Sequence, residues 1–135
     1  MSLDPLLELF CREFNIAVLP QKDKDGVYQL PINSNTQLSL SALDPGLYIF
    51  SKMMPIPKST TQEALFIYLM RSNFLGVSTG GSAIGIDPAE QFLTLSFALS
   101  QDINYTLFRD SLEDFINYLD FWREEIVNYQ KKIIS

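Results

Sequence analysis

Thr60-Thr61-Gln62-Glu63-Ala64-Leu65-Phe66-Ile67-Tyr68-Leu69-Met70-Arg71-Ser72-Asn73 runs into Phe74-Leu75-Gly76-Val77-Ser78-Thr79-Gly80-Gly81-Ser82-Ala83-Ile84-Gly85-Ile86-Asp87-Pro88. The first half holds an unbroken apolar run, Ala64 to Met70. Periodicity alone does not say whether such a run is helix or strand. The residues before it do: Thr60 and Glu63 have the spacing of a capping box, in which each side chain satisfies the other's backbone N–H. The reading is therefore a helix over Thr61 to Ser72. A helix that is apolar all round cannot leave one face in water. In a small domain its second face is either buried in the chain's own core or covered by a second subunit. The expected subunit contacts are Leu65, Phe66, Leu69 and Met70, with Ala64, Ile67 and Tyr68 shared between interface and core. The second half is rich in glycine, which permits positive φ and close backbone approach. It lacks the Lys and hydroxyl of a phosphate loop, and no Gly-x-Gly-x-x-Gly opens a helix. The glycines are read as letting the chain leave the helix, turn, and enter a strand, Ser82 to Asp87, beside another backbone.

Outward from this stretch, the elements fall into place on both sides. Asp4 followed by Pro5 reads as a helix start, Asp as the N-cap and Pro in the first turn. Leu3, Leu7, Phe10 and Phe14 recur at helical spacing and should face the core. Leu6 and Leu9 widen that stripe, either as core edge or as part of an exposed apolar groove. Cys11 reads as a small buried apolar residue. Val27 to Ile32 is a strand whose Pro31 suits an edge position, because it has no N–H to donate. Thr36 to Ala42 alternates apolar and polar, the pattern of a strand with one wet face. Leu47 to Met54 is apolar on both faces. Its Tyr48, Phe50 and Met54 either line a groove on the face not used by the core or lie under the last helix. These three strands form an antiparallel meander.

After the central stretch, Asp87-Pro88-Ala89-Glu90-Gln91 reads as a hairpin turn, and Phe92 to Leu99 alternates again. Asn104 is placed to cap a long final helix. In it Phe108, Leu112, Phe115, Leu119, Trp122 and Ile126 keep a spacing of three or four, with the charged residues, Arg123 among them, on the other face. The fold class is α+β, an antiparallel sheet with helices packed on it, in the order α-β-β-β-α-β-β-α.

Composition narrows the function. The 135 residues suit a single domain, and 47% are apolar, enough for a core. Net charge is −6, which argues against nucleic acid or an anionic membrane surface as partner, since both need clustered Lys and Arg. No apolar run has the length of a membrane span. No basic stretch followed by an apolar one opens the chain, so no secretory signal is expected. A single cysteine excludes an internal disulfide and fits a reducing cytoplasm. There is no histidine, which removes the commonest general base and metal ligand. The carboxylates have no calcium-loop spacing. The expectation is no catalytic residue, no metal and no cofactor.

Two motifs carry a resemblance. Leu75-Gly76-Val77-Ser78-Thr79-Gly80-Gly81-Ser82-Ala83-Ile84-Gly85-Ile86-Asp87 resembles the glycine-rich segment before the fourth strand of the class I chaperones of bacterial type III secretion. Tyr105-Thr106-Leu107-Phe108-Arg109-Asp110-Ser111-Leu112-Glu113-Asp114-Phe115-Ile116-Asn117, with Trp122, is similar to their last helix. The element order extends the likeness over nearly the whole chain. The resemblance implies a cytoplasmic homodimer of a Gram-negative bacterium that holds the nonglobular N-terminal region of one or more secretion effectors in extended form, without catalysis. The secretion ATPase is a further partner it would allow. Cargo would lie on the sheet and first-helix side, against Leu6, Leu9, Val27, Tyr48, Phe50 and Met54, with strand addition at the edge strand. A small homodimeric regulatory or scaffold domain that binds a folded partner is the alternative.

Overall fold

A computed structural model describes residues 2–58, 62–73 and 81–134. The elements are α1 (Asp4–Glu13), β1 (Val27–Asn33), β2 (Thr36–Leu43), β3 (Gly46–Pro55), α2 (Gln62–Ser72), β4 (Ala83–Ile86), β5 (Phe92–Leu99) and α3 (Tyr105–Ile134). This is the expected order. Thr60 of the capping box and the glycine-rich residues up to Gly80 lie outside the described residues. At Gly81 the φ of +88° is the left-handed turn conformation expected just before β4.

The strands pair antiparallel in the spatial order β1-β2-β3-β5-β4, so the meander is real and β1, which carries Pro31, is an edge. Every second strand residue points to one face and is closed off there: Tyr28 and Leu30, Leu38 and Leu40, Leu47 and Ile49, Ile84, Leu93 and Leu95. The three helices cover that face. Leu3, Leu7 and Phe10 of the α1 region, Leu65 and Leu69 of α2, and the whole α3 stripe from Phe108 to Ile126 join the strand residues in one core cluster. Among the described residues no helix lies on the opposite face. Segregating helices to one side of an antiparallel sheet buries one sheet face and leaves the other accessible.

Local chemistry explains most boundaries. The Asn104 side chain accepts from the Leu107 N–H at 2.8 Å, so α3 starts at its expected cap. Asp87 Oδ1 accepts from the backbone N–H groups of Gln91 (2.7 Å) and Phe92 (2.9 Å), which closes the β4–β5 turn. These bonds hold the Asp87 carboxyl below its usual range, the Phe92 N–H being the largest cause.

Three expectations need correction. Asp4 is not the N-cap of α1: it is the first helical residue, and its N–H donates to Ser2 Oγ at 3.2 Å. Leu3, fully buried, anchors the preceding position, so the helix begins one residue early. Phe14 is not core. The helix stops at Glu13, and the Phe14 ring lies against Phe10 with centroids 4.5 Å apart but stays 41% exposed. Arg123 does not sit on a solvated face. Its guanidinium turns back to the sheet and donates to Met53 O (2.7 Å), Thr36 Oγ1 (2.7 Å) and Asn35 O (3.0 Å).

Candidate functional site

The open face of the sheet can be read row by row from the register. One row is Val27, Ser41, Tyr48 and Ala98; the next is Gln29, Ser39, Phe50, Ser96 and Ala83. Small and polar residues flank two aromatic rings, so the surface is flat and mixed rather than oily. Gln29 Oε1 accepts from Gln37 Nε2 and from Ser39 Oγ, both at 2.9 Å, which fixes a polar ladder beside Phe50. The Lys52 ammonium lies 4.7 Å from the centroid of the Phe92 ring, a cation–π contact on the same face. A recess of about 450 Å³ opens here between Gln29, Gln37, Ser39, Phe50 and Lys52.

The structure brings three of the expected cargo residues, Val27, Tyr48 and Phe50, onto this face. They do not lie under α3, which packs on the other side. Met54 is not with them, and that expectation is corrected. The register shifts between Lys52 and Met54, so Met54 stands opposite Leu93 and packs against the core. One extra residue in a strand reverses the side on which the following side chains emerge. Leu6 and Leu9 belong to α1, in the helix layer across the sheet. Leu6 is half-buried against the core, and Leu9 is 43% exposed. Sequence reasoning missed the exposed Val18 and Leu19, which follow α1. Their signal was two adjacent apolar residues before Pro20 that no helix or strand period absorbs.

A second surface lies between α2 and β4. Leu65 and Leu69, expected at a subunit interface, are closed off inside the chain's own core, with 0% and 4% exposure. That part of the expectation is corrected: both side chains are spent on the core, and Leu69 reaches only the floor of the groove beside it. The helix exposes Ile67 (45%) and Met70 (72%), and Phe66 is half-buried. Phe66 and Met70 line a groove of about 300 Å³ whose other wall is Ile84, Ile86 and Leu93. Ile86 is itself 46% exposed, so apolar surface continues from helix to strand. The back of α2 is tied to α3. The Tyr68 ring stacks on Tyr129 with centroids 4.2 Å apart, and its hydroxyl donates to Glu125 Oε1 at 2.9 Å. Burial first, and then that carboxylate, push the Tyr68 phenol up to about 12.

Among the described residues no group of three or more His, Cys, Asp and Glu side chains is arranged to hold a metal ion. Cys11 is buried, and burial raises its thiol pKa, which lowers its reactivity. No helix among the described residues is long and apolar enough to cross a membrane.

Comparison with known proteins agrees in sequence and in shape. The Chlamydia pneumoniae protein CPj0713/CpB0740 is 27% identical over 125 residues, covering 92% of this chain and 95% of that protein. The fold matches that in the HopA1-SchA chaperone-effector complex, with TM-score 0.65, 17% identity, and coverage of 89% of this chain and 91% of that one. It also matches the Yersinia pestis type III secretion chaperone SycH, solved with a fragment of YscM2, with TM-score 0.64, 16% identity, and coverage of 89% and 98%. The profile of the Tir chaperone protein (CesT) family matches residues 5–123, from the start of α1 into α3, and the chain belongs to that family of type III secretion chaperones.

Proposed function

We propose that this protein is a cytoplasmic homodimeric chaperone that binds the nonglobular N-terminal region of a type III secretion effector and keeps it competent for secretion. The observation that carries this reading is the uncovered sheet face, where Val27, Tyr48 and Phe50 stand among hydrogen-bonding Gln and Ser side chains. A flat face that alternates aromatic rings with polar groups suits an extended chain, which presents side chains and unpaired backbone together. Leu9, Val18 and Leu19 add apolar area in the helix layer, so a long segment passing round the sheet would meet both surfaces. The cargo orders on binding and needs a large surface to offset that cost. Dimer formation falls to α2. Met70 protrudes beside a groove lined by Phe66 and Ile86, and a patch with both a knob and a hole can pair with its own copy.

The test is co-expression with the effector encoded beside this protein's gene, followed by limited proteolysis of the complex. The expected result is a protected, extended stretch near the effector N-terminus and a 2:1 complex by light scattering. Protection of a folded effector domain instead would favour the regulatory-domain alternative. Each large apolar side chain buried by cargo contributes roughly 1.5–3 kcal/mol before ordering costs. Tyr48→Ser with Phe50→Ser should therefore weaken binding about tenfold or more. Leu6→Ser with Leu9→Ser should act less, because Leu6 is partly occupied by the core. If neither folded double variant loses affinity, cargo lies elsewhere.

A further inference from the structure

Charge is almost absent from the sheet. Across all five strands, Lys52 is the only charged residue. It follows Tyr48 and Phe50 at two-residue steps along β3, so its side chain leaves on the open face, where it is exposed. In a chain with net charge −6, a lone cation in a sheet would be expected to find a carboxylate. Lys52 belongs to none of the ion pairs among the described residues. Its charge reaches the Asp87 carboxylate, but that group is committed to the Gln91 and Phe92 N–H groups. The ammonium is held instead 4.7 Å from the centroid of the Phe92 ring.

Lys52 lines the recess it shares with Gln29, Gln37, Ser39 and Phe50. Gln29 Oε1 already accepts from Gln37 Nε2 and Ser39 Oγ, so what Gln29 has left for a ligand is its own Nε2 amide, a donor. A cation and an amide donor therefore converge beside an aromatic ring. That set suits a carboxylate on a side chain whose neighbours are apolar. A single lysine in a sheet can also serve only to discourage aggregation. The recess, and the two rings that lead to it along β3, distinguish this position from a bare solubilising charge.

We infer that Lys52 sets the register of the bound segment by taking an Asp or Glu side chain of the partner into this recess. The inference rests on the reading that an extended polypeptide lies on the open face. Side chains on one side of an extended chain are about 6.6–6.8 Å apart, the same step that separates Tyr48, Phe50 and Lys52. A segment lying along β3 would therefore carry two apolar residues and one acidic residue at alternate positions. The rings supply most of the affinity, and the single charge decides which slide of the segment along the strand is accepted. An acidic chaperone repels acidic segments at long range, so the contact selects one local pattern and not acidic chains in general.

The probes are short synthetic Ser/Thr peptides with Phe, Leu and one variable residue at alternate positions, made in both chain directions. The variable residue is Glu, Gln or Lys. Binding to the full-length protein is followed by amide shifts along β3 in NMR titrations. In at least one direction the Glu peptide should bind about two- to fivefold tighter than the Gln peptide, the range of a partly exposed ion pair, and the Lys peptide weaker than both. The Glu advantage should fade toward about 1 M salt, where charges are screened within ~3 Å. Lys52→Met should abolish it, and Lys52→Glu should reverse the order in favour of the Lys peptide. Equal binding of the Glu and Gln peptides, or a Glu advantage that survives Lys52→Met, overturns the inference and leaves Lys52 a solubilising charge. Tyr48→Ser with Phe50→Ser should weaken all three peptides together, which tests the docking face and not the charge. If no peptide shifts the β3 amides, the open face does not hold extended chains, and the reading beneath the inference falls with it.

Discussion

Replacing Arg123 with Met should cost this fold about 2–4 kcal/mol, although Arg123 lies outside both proposed binding surfaces. The estimate comes from the three short bonds to Met53 O, Thr36 Oγ1 and Asn35 O. A hydrogen bond from a charged donor contributes about 1.5–3 kcal/mol net. The sum is reduced for two reasons. The Asn35 carbonyl is at an exposed turn and can be rehydrated. Burial also disfavours the guanidinium, which is why its pKa is lowered despite nearby Asp120. What remains is the cost of stranding acceptors at Thr36 and Met53, which are 2% and 3% exposed. Arg123→Lys should recover little, since a single ammonium nitrogen cannot reach acceptors set for the three separate nitrogens of a planar guanidinium. Asp120→Asn should cost under about 0.5 kcal/mol: the pair is 3.7 Å apart and the Asp120 side chain is 64% exposed. The assay is urea unfolding at fixed protein concentration, since the stability of the proposed dimer depends on it. The reasoning fails if Arg123→Met costs less than about 1 kcal/mol, or if Asp120→Asn costs as much as Arg123→Met.

Gly46→Ala should destabilise by at least about 1–3 kcal/mol, because φ is +126° and a Cβ there would run into the Leu99 carbonyl. Gly26→Ala, at φ +81° with open space around it, should cost only about 1 kcal/mol; equal losses in thermal melts would contradict the clash. Ultraviolet titration should find one phenol ionising at about 12, removed by Tyr68→Phe. Because the folded pKa is raised, that group's stabilisation is complete below the unfolded value near 10 and is lost between pH 10 and 12. Asp87 runs the other way: its folded pKa is lowered, so its contribution is present above the ordinary carboxylate range and lost as pH falls through the depressed value. Asp87→Asn should flatten the acid limb of a stability–pH profile, and an unchanged limb would count against the turn's role.

The element order was legible because the signals were local. Asn104 capped α3 as read, Phe92–Leu99 formed the expected strand, and the stripe from Phe108 to Ile126 is buried throughout. The errors came from effects that sequence period does not carry. Nothing in Lys52-Met53-Met54 announces the register shift that turns Met54 toward the core. Leu65 and Leu69 look no different from Met70 in an all-apolar run; only the position of the sheet decides which of them it covers. Arg123 and Asn73 were invisible for a related reason. Arg123 reaches Met53 O, Thr36 Oγ1 and Asn35 O, 70 to 88 residues away, and Asn73 pairs with the backbone of Ile84, so nothing local in the sequence marks either contact.

The placement of the helices has a consequence for how the surfaces divide the work. With all three on one face, α2 contributes Leu65 and Leu69 to the core and keeps Phe66, Ile67 and Met70 for its outer side. A charged residue at Met70, which is 72% exposed, therefore adds charge to a protruding position without opening the core. Met70→Glu should leave each protomer folded while setting two like charges against each other across a self-paired patch. The expected outcome is a monomer by light scattering at micromolar concentration with the parental circular dichroism spectrum. Leu69→Glu buries an unpaired charge and should unfold the protein instead. If Met70→Glu stays dimeric, the partner copy does not sit on α2, and the groove between α2 and β4 must be covered by something other than a second copy.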